Sequence, residues 1–61
     1  MKRVALMKHL AEYSCYIERE GAKHSIVKNV ATGKRTSVPR HVEIPDLMCG
    51  KICKQLGISK P

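Results

Sequence analysis

The 61-residue chain contains no Phe and no Trp, and only two Tyr. Without large rings, a core has to come from four Leu, five Ile, five Val and three Met, with Ala and Cys filling between them. A chain this short buries only about 60% of the surface it exposes when unfolded. A large enclosed substrate cavity is therefore excluded, because it would remove wall residues that such a core needs. Residues 1–61 are expected to form one small domain that binds any ligand on its surface or in a shallow groove. Long apolar runs are missing too. After the basic start at Lys2 and Arg3, the apolar run ends at Lys8, short of the roughly 7–15 residues of a secretion signal and the roughly 20 of a membrane span. No export is expected. Cysteine is sparse, three residues at wide spacing, which suits reduced thiols in a cytoplasmic protein better than a disulfide framework.

Acidic residues are the other scarcity. Five Asp and Glu stand against twelve Lys and Arg, giving a formal charge of +7 and a sequence pI near 9.7. Such an excess makes polyanions the expected partners. The basic residues run from Lys2 to Lys60 without massing in a tail, so they should decorate a folded surface. A nucleic-acid backbone fits this distribution better than a membrane.

Patterning predicts five elements. From Lys2 to about Ser14, Val4, Met7 and Ala11 form a helical stripe with Leu6, Leu10 and Tyr13 beside it. Cys15 to Glu20 alternates aromatic and β-branched residues with charge and reads as a strand closed by Gly21. His24 to Asn29 is a second strand, and Ala31-Thr32-Gly33-Lys34 is a turn in which Gly can take a positive φ. Arg35 to Val38 is a third strand, ended by Pro39, which has no amide hydrogen for a ladder. Pro45 and Asp46 suit a helix start. Met48, Ile52 and Leu56 repeat at four-residue spacing, Cys49 and Cys53 extend that stripe, and Gly57 suits a left-handed helix end. Gly50 is a conflict inside this helix, costing roughly 1 kcal/mol against Ala. The expected fold class is α+β, an α-β-β-β-α chain whose three-stranded antiparallel sheet carries both helices on one face. This is the layout of double-stranded-RNA-binding domains, and fold alone does not establish function.

The three histidines differ in setting. His9 lies on the first helix and reads as a solvated residue. His41 follows Pro39-Arg40, where a phosphate contact and plain exposure are both open. His24 begins a strand just after a Gly turn, next to Lys23, with Arg19, Lys28 and Arg40 as candidate neighbours. Imidazole exchanges protons near neutral pH, and cations stabilise charge developing on a phosphate. Those are the requirements for cleaving RNA without a metal or other cofactor. The residues alone leave two readings of His24 open, a proton-transfer group or a strand side chain that covers the sheet.

The run Arg19-Glu20-Gly21-Ala22-Lys23-His24-Ser25-Ile26, then Thr32-Gly33-Lys34, Val38-Pro39-Arg40-His41, Glu43-Ile44 and Lys51-Ile52-Cys53-Lys54-Gln55-Leu56-Gly57-Ile58, resembles the HicA toxin family over essentially the whole chain. The carrying elements are the spacing R-x-G-x-x-H, the later V-P-R-H and a terminal K-Q-x-G-I. The resemblance implies the toxin of a type II toxin–antitoxin system, an mRNA interferase with a double-stranded-RNA-binding-like fold. It also implies His24 as the catalytic residue and a HicB-type antitoxin as partner. The chain departs from the family's pattern at Val30, where Pro often follows the Asn, and at Cys49-Gly50, where a Leu-Arg pair is frequent. Neither position touches His24.

On this basis mRNA is the expected substrate, with Arg19, Lys23, Lys28 and Arg40 as phosphate contacts and Lys34 and Arg35 extending the footprint. His41 is a candidate second acid or base. A noncatalytic RNA-binding module and a protein-interaction module with a covered basic face are the alternatives. Two tyrosines are too few for a base-stacking platform, so recognition should lean on phosphates. Cys49 and Cys53 extend an apolar helical stripe and read as buried thiols, not zinc ligands. Glu18 and Glu20 are expected on one strand face as solvated carboxylates.

Overall fold

A computed structural model describes all 61 residues. The elements run α1 (Arg3–Glu12), β1 (Cys15–Glu20), β2 (His24–Asn29), β3 (Arg35–Pro39) and α2 (Asp46–Leu56). The strands form one antiparallel sheet in the order β1-β2-β3. This is the α-β-β-β-α architecture with a double-stranded-RNA-binding-like layout that the patterning predicts.

Strict alternation along β2 sets the two faces of the sheet. Ser25, Val27 and Asn29 are buried, while His24 is exposed and Ile26 and Lys28 are half-buried on the opposite side. Cross-strand partners share a face, so Thr36 and Val38 of β3 join the covered side. Against it lie Leu6 and Leu10 of α1 and Cys49, Ile52, Cys53 and Leu56 of α2, with Cys15 and Ile44 completing one core. Fully burying a Leu or Ile side chain stabilises by roughly 1.5–3 kcal/mol, so these few aliphatics supply most of the favourable energy. The other sheet face carries no helix.

Two helical stripes differ from expectation. On α1 the inward line is Leu6 and Leu10, both 0% exposed, whereas Val4 is 80% exposed. Arg3 explains the rotation. Its Nε donates to Pro39 O at 3.0 Å and its Nη2 to Ser25 Oγ at 2.7 Å, so positions 3, 6, 7 and 10 face the sheet and Val4 turns outward. The helix also stops at Glu12, because Ser14 enters the left-handed region at φ 63° and its carbonyl accepts from Val30 N at 3.0 Å. On α2 the inward stripe is Cys49, Ile52, Cys53 and Leu56, and Met48 stands 40% exposed beside it.

The helix ends follow the residue chemistry. The first amide of α1 has no side-chain cap; instead Arg3 N donates to Val42 O at 2.8 Å. Gly57 ends α2 at φ 74°, and Ile58 N returns to Cys53 O at 2.9 Å, as left-handed terminators do. Asn29 ties that end to the β2–β3 turn. Its Nδ2 donates to Leu56 O at 2.8 Å, and its Oδ1 accepts from Ala31 N at 2.9 Å. Thr36 Oγ1 also donates to Gln55 Oε1. All three thiols are buried and unpaired, and burial pushes each above its ordinary pKa. They behave as small core side chains.

Candidate active site at the β1–β2 turn

The turn Gly21-Ala22-Lys23 leads directly into His24. Gly21 N donates to His24 O at 2.7 Å and closes the loop. A Cβ at position 21 would lie 2.9 Å from that same carbonyl oxygen. The three-residue interval between Gly and His therefore has a steric reason: only a hydrogen side chain lets the backbone fold so tightly ahead of the imidazole.

His24 pairs across the sheet with Pro39, and the ladder continues one step through Arg40 N to Lys23 O at 3.2 Å. Arg40 then folds over the turn. Its Nη1 donates to Gly21 O at 2.9 Å, and its Nη2 lies 3.8 Å from Glu20 Oε1. Beneath, Ser25 Oγ donates to Glu20 Oε1 at 2.5 Å while accepting from Arg3. A chain of contacts thus runs from Pro39 O through Arg3, Ser25, Glu20 and Arg40 to Gly21. It holds the turn from below and from the side while the imidazole stays exposed on the helix-free face. Arg3 escaped the sequence reading, because nothing at a helix's first position announces a contact with strands more than twenty residues away.

The other expected site residues divide into two groups. Lys23 is exposed next to His24, and Arg19 is exposed on the same open face, paired with Ile26. Neither forms an ion pair. Lys28 lies four residues along β2, about 13 Å from His24 at the strand rise, with its Nζ 3.9 Å from Glu18 Oε2. Arg35, its cross-strand partner, clasps Glu18 through two hydrogen bonds of 2.8 and 3.1 Å. Hydrogen bonding from Arg35, with the charges of Arg35, Lys28 and Arg19 in support and desolvation opposing, holds the Glu18 carboxyl below its ordinary range. Lys28 therefore belongs to an ion cluster at the far end of the open face and not to the neighbourhood of His24.

The same strand corrects the placement of the two carboxylates. The β1–β2 register slips between Ile17 and Arg19, and this bulge lets Glu18 join Arg19 on the open face. Glu20 pairs with Ser25 on the covered side. One extra residue in a strand reverses the faces that simple alternation assigns beyond it. His41 is exposed two residues beyond Pro39. His9 is half-buried, its Nε2 donating to Ser59 O at 2.8 Å and its ring 5.0 Å from that of Tyr13, so it ties α1 to the segment after α2 and is not simply solvated.

The fold and this surface define a small basic protein of double-stranded-RNA-binding-like architecture, with one exposed imidazole set among cations at a strand entrance. The family model described as HicA toxin of bacterial toxin–antitoxin systems matches residues 5–58. The chain belongs to the HicA toxin family. A comparison with curated proteins finds no match, and neither does one with solved structures.

Proposed function

We propose that this chain is the toxin of a type II toxin–antitoxin pair and acts in the cytoplasm as an mRNA interferase, with His24 as general acid or base. The observation that carries this reading is the exposed His24 ring on a Gly-closed turn, beside Arg19 and Lys23, neither of which forms a salt bridge. Membership of the HicA family supports it. Single-stranded mRNA lies along the open face, its phosphates held by Arg19, Lys23 and the outward donors of Arg40, with Lys28 farther along. The ribose 2′-oxygen attacks the adjacent phosphorus, and the bond from phosphorus to the 5′-oxygen breaks. His24 takes the 2′-hydroxyl proton, and a proton returns to the departing oxygen, with His41 the candidate donor. The products are a 2′,3′-cyclic phosphate and a free 5′-hydroxyl. The cations stabilise the extra negative charge at phosphorus. A HicB-type antitoxin restrains the toxin by covering this face.

The test compares wild type with His24→Ala and His24→Gln in growth arrest and in cleavage of a synthetic RNA with chelator present. Placed acid–base groups contribute about 10²–10⁴-fold, and losses of that order are expected in variants that melt normally and still bind RNA. A substrate with a 2′-deoxy sugar at the cut site should resist cleavage. Retained cutting by either histidine variant refutes the assignment. A wild type that binds RNA and never cuts it would leave a noncatalytic binding module.

A further inference from the structure

The outer side of α2 carries a second feature, unrelated to His24. Leu47, Gly50, Lys51 and Lys54 follow the spacing of one helical stripe, opposite the buried stripe of Cys49, Ile52, Cys53 and Leu56. A groove of about 440 Å³ opens along this side, and a second recess of the same size, bounded by Met1, Cys49 and Pro61, adjoins it at Asp46, Gly50 and Lys60. Leu47, 76% exposed, and the half-buried Ile58 give the groove apolar walls. Lys51, Lys54 and Lys60 stand along it against a single carboxylate, Asp46.

Gly50 and Lys60 meet at the centre of this side. Inside a helix the Gly costs about 1 kcal/mol against Ala, and the fold does not require it: a Cβ there would meet nothing closer than Lys60 Cδ, at 3.2 Å near the free end of a flexible side chain. The aliphatic stem of Lys60 instead crosses the helix at this position, close to where a Cβ would stand.

We propose that this groove docks an acidic segment of a protein partner, one that inserts an apolar side chain against Leu47 and Ile58 while its carboxylates meet Lys51, Lys54 and Lys60. The apolar walls favour such a peptide over an RNA backbone, which has no apolar side chain to insert; the Met1 amino group meets Asp46 at 3.3 Å, which leaves the lysines as the charge an acidic segment would answer. The helices separate the groove from the open sheet face, so a partner held here leaves His24 free, and the docking does not depend on the nuclease reading.

The experiment titrates the ¹⁵N-labelled chain with a twelve-residue peptide of Glu and Leu whose leucines share one helical face, and separately with a twelve-nucleotide polyuridine. The peptide should shift the amides of Leu47, Gly50, Lys51 and Ile58 saturably and leave that of His24 unmoved. The double substitution Lys51→Glu with Lys54→Glu should weaken peptide binding at least tenfold, and Leu47→Ser at least threefold, with melting temperatures unchanged. The proposal is overturned if the groove amides do not respond, if the peptide shifts centre on the open sheet face, or if the polyuridine occupies the groove. It is equally overturned if Leu47→Ser binds like wild type, since the attraction would then be charge alone.

Discussion

Replacing Gly21 by Ala tests the turn and the proposed acid–base group together. The added methyl would lie 2.9 Å from His24 O, where ordinary contact begins at 3.4 Å, so one backbone must retreat by about half an ångström. The hydrogen bond that closes the turn, Gly21 N to His24 O at 2.7 Å, joins the same two residues and must stretch or break. A lost hydrogen bond of this kind costs about 1 kcal/mol, and steric strain adds a similar amount. Stiffening the unfolded chain returns about 0.4–1 kcal/mol. A net loss of about 1 kcal/mol should lower the melting temperature by about 4–8 °C in a domain of this size. Catalysis should suffer more than stability. A misplacement of 1 Å can cost about 10²-fold, so a shift of half that should reduce RNA cleavage by about tenfold, measured well below the melting transition. Circular dichroism melting and single-turnover cleavage give the two numbers. A variant with native melting and full cleavage would refute both the steric account of the Gly–His interval and the importance of His24's position.

Three further outcomes follow from the contacts. Asn29→Ala removes the donor to Leu56 O and the acceptor for Ala31 N, and should cost about 2–3 kcal/mol in chemical denaturation. Gly57→Ala forces a Cβ into a backbone at φ 74° and should cost about 1 kcal/mol; the Lys34 side chain 3.2 Å away can swing aside. Glu18 has a folded pKa below its ordinary 4.5. Its stabilisation is therefore complete above that value and fades as pH falls through the lower folded one, and Glu18→Gln should flatten this acid limb of the stability profile. The same substitution frees Lys28 and Arg35, so RNA affinity should rise and the salt dependence steepen by about 0.7 log units per added phosphate contact.

The strands were legible in the sequence because their signals are local. Cys15–Glu20 and His24–Asn29 occupy the predicted positions, as do the Pro45-Asp46 start and Gly57 end of α2. Each rests on alternation or on one residue's backbone preference. The details that went astray depend on contacts distant in sequence. Val4 turned outward because Arg3 reaches Ser25 and Pro39, a pairing no helical period contains. Glu18 and Glu20 parted because β1 bulges, and neither residue marks a bulge. His24 could be placed on a strand from its neighbours, but alternation could not distinguish an open sheet face from a covered one. That distinction came from the helices.

The support of the turn also shows how so small a chain can hold an exposed imidazole, the proposed acid–base group, outside its core. At about 0.05–0.15 kcal/mol per residue, a domain this size has roughly 3–9 kcal/mol of net stability, too little to bury an unpaired charge beneath a surface site. The arrangement avoids that cost by alternating signs: Arg3 donates to buried Ser25, Ser25 donates to Glu20, and Glu20 faces Arg40. Each polar group has a partner, and the chain of contacts ends at the Gly21 carbonyl on the surface. The relay supports the turn without making the imidazole part of it, so the His24 ring is committed to no structural hydrogen bond. Its melting contribution and its chemistry should therefore separate on mutation, whereas Arg3 and Ser25 substitutions should reduce both.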